Sequence, residues 1–438
     1  KVYYINMKAS FSLLSVIFHN ILRGILTMKK ISEKILALGL SAMMTVPFMT
    51  SCSKSGDSAD SSSDGSSSAA AGTTIKIGSI GPVTGGAAVY GQAVKNAAEM
   101  AVKEINEAGG INGVQIEFKF EDDVHDAEKS VNAYNTLKDW GVQMLMGTVT
   151  STPCQAVVEE THKDNMFQLT PSGSAVESIK YDNAFRVCFS DPNQGLGSAK
   201  YIGENNLASK VAVIYNSSDV YSSGIYEKFT AEAANQPFEI VSAEAFTDDS
   251  KTDFTVQLQK AKDAGADLVF LPIYYQEASL ILQQAASMEF APKFFGCDGL
   301  DGILAVENFD LKLTEGVMLL TPFAADAQDD MTKTFVSNYE AAYGDVPNQF
   351  AADAYDAIYI MKAAGEKAGI TADMSVSDMC DAMKKAMTEI TYDGLTGTGM
   401  TWDAEGEPTK DPKAVVIAIE EVTNDDGTTS LSGSYKAM

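Results

Sequence analysis

Short apolar runs alternate with helical patterns from Ile75 onward. The first half of this region predicts a strand in TIKIGSIGPV and an amphipathic helix in GQAVKNAAEMAVKEINEAGGI, which Gly109 and Gly110 end. The same alternation continues through VQIEFKFEDD, DAEKSVNAYNTLKDWG, VQMLMGTVTS, TPCQAVVEETHKDN and MFQLTPSGS. Strands and helices that alternate with short connections are typical of a parallel sheet covered on both faces.

The alternation restarts at KVAVIYNSSD and gives a second set of similar size. Its strands are predicted in FEIVSAEAF, DLVFLPIYY, KFFGCDGL and GVMLLTPF, with helices between them. Two further helices, MTKTFVSNYEAAYG and NQFAADAYDAIYIMKAAGEKAG, precede a late strand, AVVIAIEEV. The pattern therefore predicts an α/β protein of two Rossmann-like lobes with parallel sheets and a cleft between them.

The ends of the predicted strands carry hydroxyls, aromatic rings and one carboxylate. Ligands of open α/β sheets lie beyond the carboxyl ends of the strands. The residues predicted there are Tyr90, Thr150, Ser151, Ser172, Ser174, Tyr221, Tyr274 and Asp298. The serine loops lead into helix N-termini, whose free N–H groups suit a carboxylate, and Asp298 suits an ammonium. This set predicts a free amino acid as ligand, and Thr170 is assigned to the strand.

Each of these residues also has a structural interpretation that the sequence leaves open. Ser172 and Ser174 have the residue type of helix N-caps and turns, and Asp298 lies between two glycines of a turn. The tyrosines can be half-buried aromatic residues of the core.

The front of the chain predicts an exported lipoprotein. Residues 28–51 combine a lysine-rich start with an apolar stretch, and Cys52 follows directly, as at a bacterial lipidation site. Residues 1–27 are interpreted as upstream translation, and residues 52–73 as a Ser-rich tether.

Composition and charge exclude several classes of function. The chain has a formal net charge of -27, which argues against nucleic acid as a partner. Arg186 is the single arginine after residue 51, so the sequence offers no arginine cluster for an anion. Cys154, Cys188, Cys297 and Cys380 lack metal-site spacing, and their pairing is left open between disulfides and buried thiols. No enzyme motif, metal site or cofactor site is predicted.

The chain resembles the Leu/Ile/Val-type periplasmic binding proteins of ATP-driven amino-acid transporters, the type I periplasmic binding protein family. The resemblance runs from about residue 75 to residue 411. Its motifs are IKIGSIGPVTGGAAVYGQAVKNAAEMAVKEINEAGGINGVQIEFKFEDD, MGTVTSTPCQAV, QLTPSGSA, FRVCFSDPNQG and GLTGTGMTWDAEGEP.

The resemblance implies a role for each candidate residue. Thr150, Ser151, Ser172 and Ser174 match the positions that hold the ligand carboxylate, and Asp298 and Tyr274 those that hold its ammonium. Tyr90 and Tyr221 match the positions that cover the side chain. Family members often carry Glu at the Asp298 position, and the family's disulfide near the first lobe has no counterpart near EDDVHDAEKS.

The resemblance also implies three crossings between the lobes, near 190–194, 321–323 and 398–401. Lobe 1 is then predicted as residues 74–192 plus 322–399, and lobe 2 as residues 193–321 plus 400–438. Closure of such lobes is favoured by a ligand that contacts both.

The expected function is capture of an amino acid, branched-chain or otherwise aliphatic, for delivery to an ABC permease and its ATPases. The expected form is a monomer outside the cytoplasm, anchored to the bacterial membrane by lipid on Cys52. Alternatives are an amino-acid sensor, and a binder of urea, an amide or an aromatic acid with the same fold. An enzyme is the least favoured alternative.

Overall fold

The computed structural model describes residues 74–410, 412–423 and 429–438. The predictions for residues 1–27, for the signal at 28–51, for Cys52 and for the tether up to residue 73 lie outside this part of the chain. None of the helices within the described ranges is both long and apolar enough to cross a membrane.

The chain first builds a five-stranded parallel sheet. In chain order its elements are β1 (Ile75–Gly81), α1 (Ala88–Glu107), β2 (Ile116–Asp122), α2 (Ala127–Trp140), β3 (Met144–Gly147), α3 (Ser151–Lys163), β4 (Phe167–Thr170) and β5 (Ala184–Arg186). The strands lie in the order β2-β1-β3-β4-β5. Every residue of β3 and β4 is buried, as expected for central strands covered on both faces.

A second α/β set follows. Its elements are α4 (Asp191–Glu204), β6 (Lys210–Asn216), α5 (Val220–Ala233), β7 (Glu239–Phe246), α6 (Thr255–Asp263), β8 (Leu268–Leu271), α7 (Tyr275–Ser287), β9 (Lys293–Gly296) and β10 (Met318–Thr321). These five strands are parallel to one another.

The chain then returns to the first set before it ends in the second. The helices α8 (Asp330–Tyr343), α9 (Gln349–Ala368) and α10 (Val376–Met387) come next, and α9 packs along α1. The strands β11 (Lys413–Thr423) and β12 (Thr429–Ala437) complete a seven-stranded sheet of order β12-β11-β10-β9-β8-β6-β7. β11 runs antiparallel to both of its neighbours, so the sheet is mostly parallel. The predicted class of two α/β lobes is confirmed.

The third crossing lies further along the chain than residues 398–401. Trp402 Nε1 donates to the Arg186 carbonyl at 2.7 Å, and Arg186 N donates to the Gly406 carbonyl at 3.1 Å. Because Arg186 is the last residue of β5, residues 402–406 belong to the first lobe. The chain joins the second sheet at β11, so we propose that the last lobe 2 segment starts at about residue 412, and not at residue 400.

A glycine allows the first turn of α1 to lie against the end of β1. A Cβ at Gly91 would lie 2.0 Å from the Pro82 carbonyl oxygen, so no larger residue fits without a backbone shift. This close approach fixes the position of Tyr90, the neighbouring candidate residue.

Candidate functional site

The two serine loops of the first lobe are joined to each other by hydrogen bonds. Ser172 Oγ donates to the Val149 carbonyl at 2.6 Å, and Ala175 N donates to Ser151 Oγ at 3.2 Å. The loops follow the parallel neighbours β3 and β4, whose carboxyl ends lie side by side. The structure therefore brings Ser151, Ser172 and Ser174 to one edge of the sheet.

The hydroxyls of these loops differ in what they already bond. Ser174 Oγ is buried and has no hydrogen bond of normal geometry within the described residues. Ser151 Oγ accepts a hydrogen bond and keeps its own proton to donate. Thr150, the residue before α3, has its Oγ1 at 2.9 Å from Nδ1 of His125. Ser174 and Ser151 are thus the hydroxyls with a free donor.

Asp298 is the predicted carboxylate of the second lobe, and its side chain is held by Tyr221. Tyr221 Oη donates to Asp298 Oδ1 at 2.7 Å, and Gly299 N donates to Tyr221 Oη at 2.9 Å. Asp298 is 4% exposed, and this burial raises its pKa to about 7, partly offset by the hydrogen bond from Tyr221. A carboxylate in this state gains from a cation beside it.

Tyr274 and Tyr221 form a stacked aromatic pair. Their ring centroids are 4.9 Å apart at an angle of 17°. Tyr274 is half-buried and also contacts the His125 ring of the first lobe, with centroids 5.4 Å apart. The pair thus stands between the acid of one lobe and the loops of the other.

Tyr90 connects the two lobes directly. Its hydroxyl donates to the Gly299 carbonyl and accepts from Tyr275 N at 3.2 Å. Its ring is fully buried and lies 4.2 Å from the Phe350 ring, centroid to centroid. Thr152 Oγ1 forms another bond across the cleft, to Asp219 Oδ1 at 3.3 Å. The lobes are therefore in contact around the candidate site.

Asp191, at the start of α4, is a candidate that the sequence analysis missed. It is 1% exposed, and neither carboxylate oxygen has a hydrogen bond of normal geometry in the described part of the chain. Its backbone N–H donates to the Ser174 carbonyl at 2.9 Å. Burial raises its pKa well above the usual value, and the nearby Ser174 hydroxyl acts in the opposite direction. The signal in the sequence was an acid directly after the buried stretch 187–190, in FSDPNQG.

Asp219 and His125 also lie at this cleft and were not singled out from the sequence. Both line a small cavity with Tyr274, Lys251 and Glu277. Burial raises the pKa of Asp219 to about 6 and lowers that of His125 to about 4, so His125 is neutral at pH 7. The cleft thus contains three buried carboxylates: Asp191, Asp219 and Asp298.

The sequence left the pairing of four cysteines open, and the structure decides it. Cys154, Cys188, Cys297 and Cys380 are free buried thiols. Burial raises the pKa of each, so these thiols are unreactive at neutral pH. Of the two alternatives, the structure has buried thiols.

Comparison with known proteins gives relatives that match about two thirds of the chain. The leucine-, isoleucine-, valine-, threonine-, and alanine-binding protein of Pseudomonas aeruginosa is 30% identical over 298 residues, which are 68% of this chain and 79% of that protein. A Leu/Ile/Val-binding protein homolog of Brucella melitensis is 31% identical over 303 residues, 68% of this chain and 80% of that protein.

Solved structures share the fold. The branched-chain amino acid transporter substrate binding protein of Streptococcus pneumoniae, in complex with isoleucine, has a TM-score of 0.71 and 27% identity, over 83% of this chain and 100% of that one. A solute binding protein of an ABC transporter from R. palustris, in complex with benzoate, has a TM-score of 0.70 and 19% identity, over 83% and 97%. The second likeness shows the fold alone.

The family profile described as periplasmic binding protein matches residues 74–420. This match covers the first sheet, the second sheet except β12 and the end of β11, and the candidate site. Together with the named relatives, it confirms the resemblance to the Leu/Ile/Val-type proteins. The chain belongs to the periplasmic binding protein family.

Proposed function

We propose that this protein captures a free amino acid between its two lobes. The observation that carries the proposal is that hydrogen-bond donors on one side of the cleft face a carboxylate on the other. Free hydroxyl donors lie at the helix N-terminus of one lobe, and a buried carboxylate, Asp298, lies on the other. A molecule with a carboxylate and an ammonium on one carbon satisfies both.

In this proposal the ligand carboxylate accepts hydrogen bonds from Ser151 and Ser174, with Thr150 and Ser172 beside them. The ammonium lies between Asp298 and Tyr274, and Asp191 is added as a second acceptor. Ser174 fits a position next to both charges, because its carbonyl already bonds Asp191 N. The two carboxylates gain a cation that compensates their burial.

We propose an aliphatic side chain, branched or otherwise, for the ligand. Two findings support this choice: the named specificity of the P. aeruginosa relative and the isoleucine bound to the S. pneumoniae protein. The Tyr221–Tyr274 pair offers an apolar ring surface for such a side chain. Tyr90 contributes by supporting these rings, since its own ring is fully buried.

The family is one of solute-binding proteins and not an enzyme family, and its description as periplasmic supports a location outside the cytoplasm. Its named relatives are substrate-binding proteins of amino acid transporters. For this chain we propose delivery of the ligand to an ABC permease and its ATPases. We also propose that the protein is a monomer held at the membrane by lipid on Cys52.

A thermal-shift screen of the purified protein against all amino acids tests the proposal. A ligand at 100 times its Kd stabilises a protein by about 2.7 kcal/mol, enough for a clear rise in Tm. We expect leucine, isoleucine or valine to give the largest rise, and their carboxamides a much smaller one. No response to any amino acid would contradict the proposal.

An aromatic acid is the second candidate ligand. The fold is shared with a benzoate-binding protein, and a stacked tyrosine pair suits an aromatic ring. Benzoate lacks an ammonium, so it would leave Asp298 and Asp191 buried without a cation. Benzoate in the same screen decides between the two candidates.

A further inference from the structure

Arg186 is the single arginine after residue 51, and its side chain is buried within the protein. It is 1% exposed. Its Nη1 donates to the carbonyl oxygens of Gly173, at 3.4 Å, and Ser174. Its Nε lies 3.0 Å from Glu407 Oε2. Arg186 thus holds the serine loop of β4 by two of its backbone carbonyls.

These two carbonyls belong to the peptide groups at the tip of the loop. The Gly173 carbonyl shares a peptide group with Ser174 N, and the Ser174 carbonyl shares one with Ala175 N. A charged donor on a carbonyl polarises the amide and strengthens the N–H at its other end as a donor. Arg186 therefore fixes the loop and makes Ser174 N a better donor to an anion, while Ala175 N already donates to Ser151 Oγ.

The buried acids of the cleft oppose binding of a carboxylate ligand, so the positive charge of Arg186 is needed to offset them. Asp191, Asp219 and Asp298 are buried acids at the site, and like charges repel at short range. The positive charge of Arg186 opposes the rise that burial and Asp298 cause in the pKa of Asp191. The field of Arg186 therefore extends into the cleft.

Lys410, a second buried cation of the first lobe, bonds groups outside the serine loops. Its Nζ lies 2.7 Å from Asp353 Oδ1 and donates to the Val187 carbonyl at 3.1 Å and to Thr396 Oγ1 at 2.7 Å. None of these partners belongs to the serine loops. Lys410 is therefore a matched control for Arg186.

We propose that Arg186 is the positioning residue for the ligand carboxylate, acting through the two peptide groups that join Gly173 to Ser174 and Ser174 to Ala175, without contacting the ligand. This inference rests on the proposed function, because it assumes a ligand that carries a carboxylate. It explains how a cleft with three buried acids accepts an anionic group without an arginine fork.

The test compares leucine with leucinamide in calorimetry of the purified protein. The two ligands share the ammonium and the side chain and differ at the carboxylate. In Arg186→Met we expect the ratio of the leucine affinity to the leucinamide affinity to fall about tenfold, a change of about 1.4 kcal/mol. In Arg186→Lys, which keeps the charge but not the fork, we expect about a threefold fall. If Arg186→Met does not fold, Arg186→Lys decides by the same ratio.

Two controls separate positioning from a purely structural role. Lys410→Met removes another buried cation, so it should lower Tm and leave the affinity ratio within twofold of wild type. Glu407→Gln removes the ion pair but keeps the bonds of Arg186 to the loop, so the ratio should again stay within twofold. An equal loss of both affinities in the Arg186 variants would overturn the inference.

Failure of the proposed function gives a different result. If wild type binds benzoate and no amino acid, the amino-acid proposal fails, and benzoate with benzamide provides the same ratio for Arg186. If wild type binds no carboxylate of either kind, both proposals fail, because Arg186 then has no carboxylate to position.

Discussion

The hydroxyls of Thr170, which ends β4, and of Ser174, on the loop that follows, have different tasks. Thr170 Oγ1 donates to the Thr148 carbonyl at 2.6 Å and accepts from Gly173 N at 2.7 Å, so its hydroxyl is used within the fold. Ser174 Oγ, four residues on, forms no such bond among the described residues. The Thr170 hydroxyl therefore stabilises the fold, and the Ser174 hydroxyl is available for binding.

Ser174→Ala should weaken amino-acid binding without changing the fold. A hydrogen bond to a charged group contributes about 1.5–3 kcal/mol, so we expect affinity in calorimetry to fall at least about tenfold. The Tm of the ligand-free protein should stay within about 1 °C of wild type, since Ser174 Oγ has no hydrogen bond of normal geometry to lose. Thr170→Val is the control and should mainly lower Tm. Unchanged affinity in Ser174→Ala would remove this residue from the proposed site.

Asp298→Ala should abolish amino-acid binding and leave a folded protein. Loss of one partner of a buried, hydrogen-bonded charge pair costs about 2–5 kcal/mol. Asp298→Asn is the isosteric variant, in which Tyr221 Oη still has an oxygen to bond. We expect at least about a 30-fold loss in calorimetry for Asn and no detectable heat for Ala. Wild-type affinity in either variant would refute the assignment of the ammonium to Asp298.

The position of the site along the chain could be predicted, but not its full set of residues. The parallel order of β3 and β4 brings their two following loops together, and that order follows from the βα alternation. Asp191 was missed because it begins α4 after the three-residue strand β5, and neither element was predicted. The role of Arg186 depends on contacts across the loop, which no local pattern encodes.

At the scale of elements, most strands and amphipathic helices were predictable, and β5, β12, α4 and α10 were not. The strands β1, β6 and β8 are apolar runs that match the structure closely. The strand β12 is rich in Ser and Thr, so its composition does not predict a strand, and it was missed. Its hydrogen bonds with β11 hold it in the sheet. α10 was missed although one face carries buried methionines.

The contact between α1 and the loop after β9 predicts a closure defect in Tyr90→Phe. This variant leaves the Gly299 carbonyl without its donor and Tyr275 N without its acceptor. Each buried group left unpaired costs about 1–3 kcal/mol, and the cost falls on the closed form alone. Because two groups lose their partners, we expect a loss of ligand affinity of at least about 30-fold in calorimetry.

Tyr134→Phe is the matched control for Tyr90→Phe. Tyr134 is also a buried tyrosine, but its hydroxyl bonds Asp164 within the first lobe, at 3.0 Å. This control should change Tm slightly and leave affinity as in wild type. Equal affinity in Tyr90→Phe and wild type would show that the contact between lobes does not contribute to ligand capture.

At the scale of the whole molecule, buried acids link stability to pH. Burial raises the pKa of Asp123 and Asp298 to about 7, and that of Asp219, Asp301 and Asp356 to about 6. The unfolded value for Asp is about 3.9, so between about pH 4 and pH 7 the folded protein holds more protons than the unfolded chain. The stability of the ligand-free protein therefore rises as pH falls through this window and is lost as pH rises through the folded values.

Thermal unfolding at a series of pH values tests this linkage. We expect the ligand-free Tm to be higher at pH 5.5 than at pH 8, and the smaller net negative charge at low pH acts in the same direction. The rise in Tm caused by an amino acid should instead increase with pH, because the ammonium requires an ionised Asp298. Asp298→Asn should reduce that second dependence. A ligand-free Tm that rises from pH 5.5 to pH 8 would contradict the expected linkage.

The described chain starts in one sheet and finishes in the other. β1 is the first strand of the first lobe, and β12 lies at the far edge of the second sheet. A fluorescent donor placed ahead of Ile75 and an acceptor placed after Met438 would therefore be attached to different lobes. Energy transfer between such labels reports opening and closing directly, and makes the protein the starting point for an optical sensor of its own ligand.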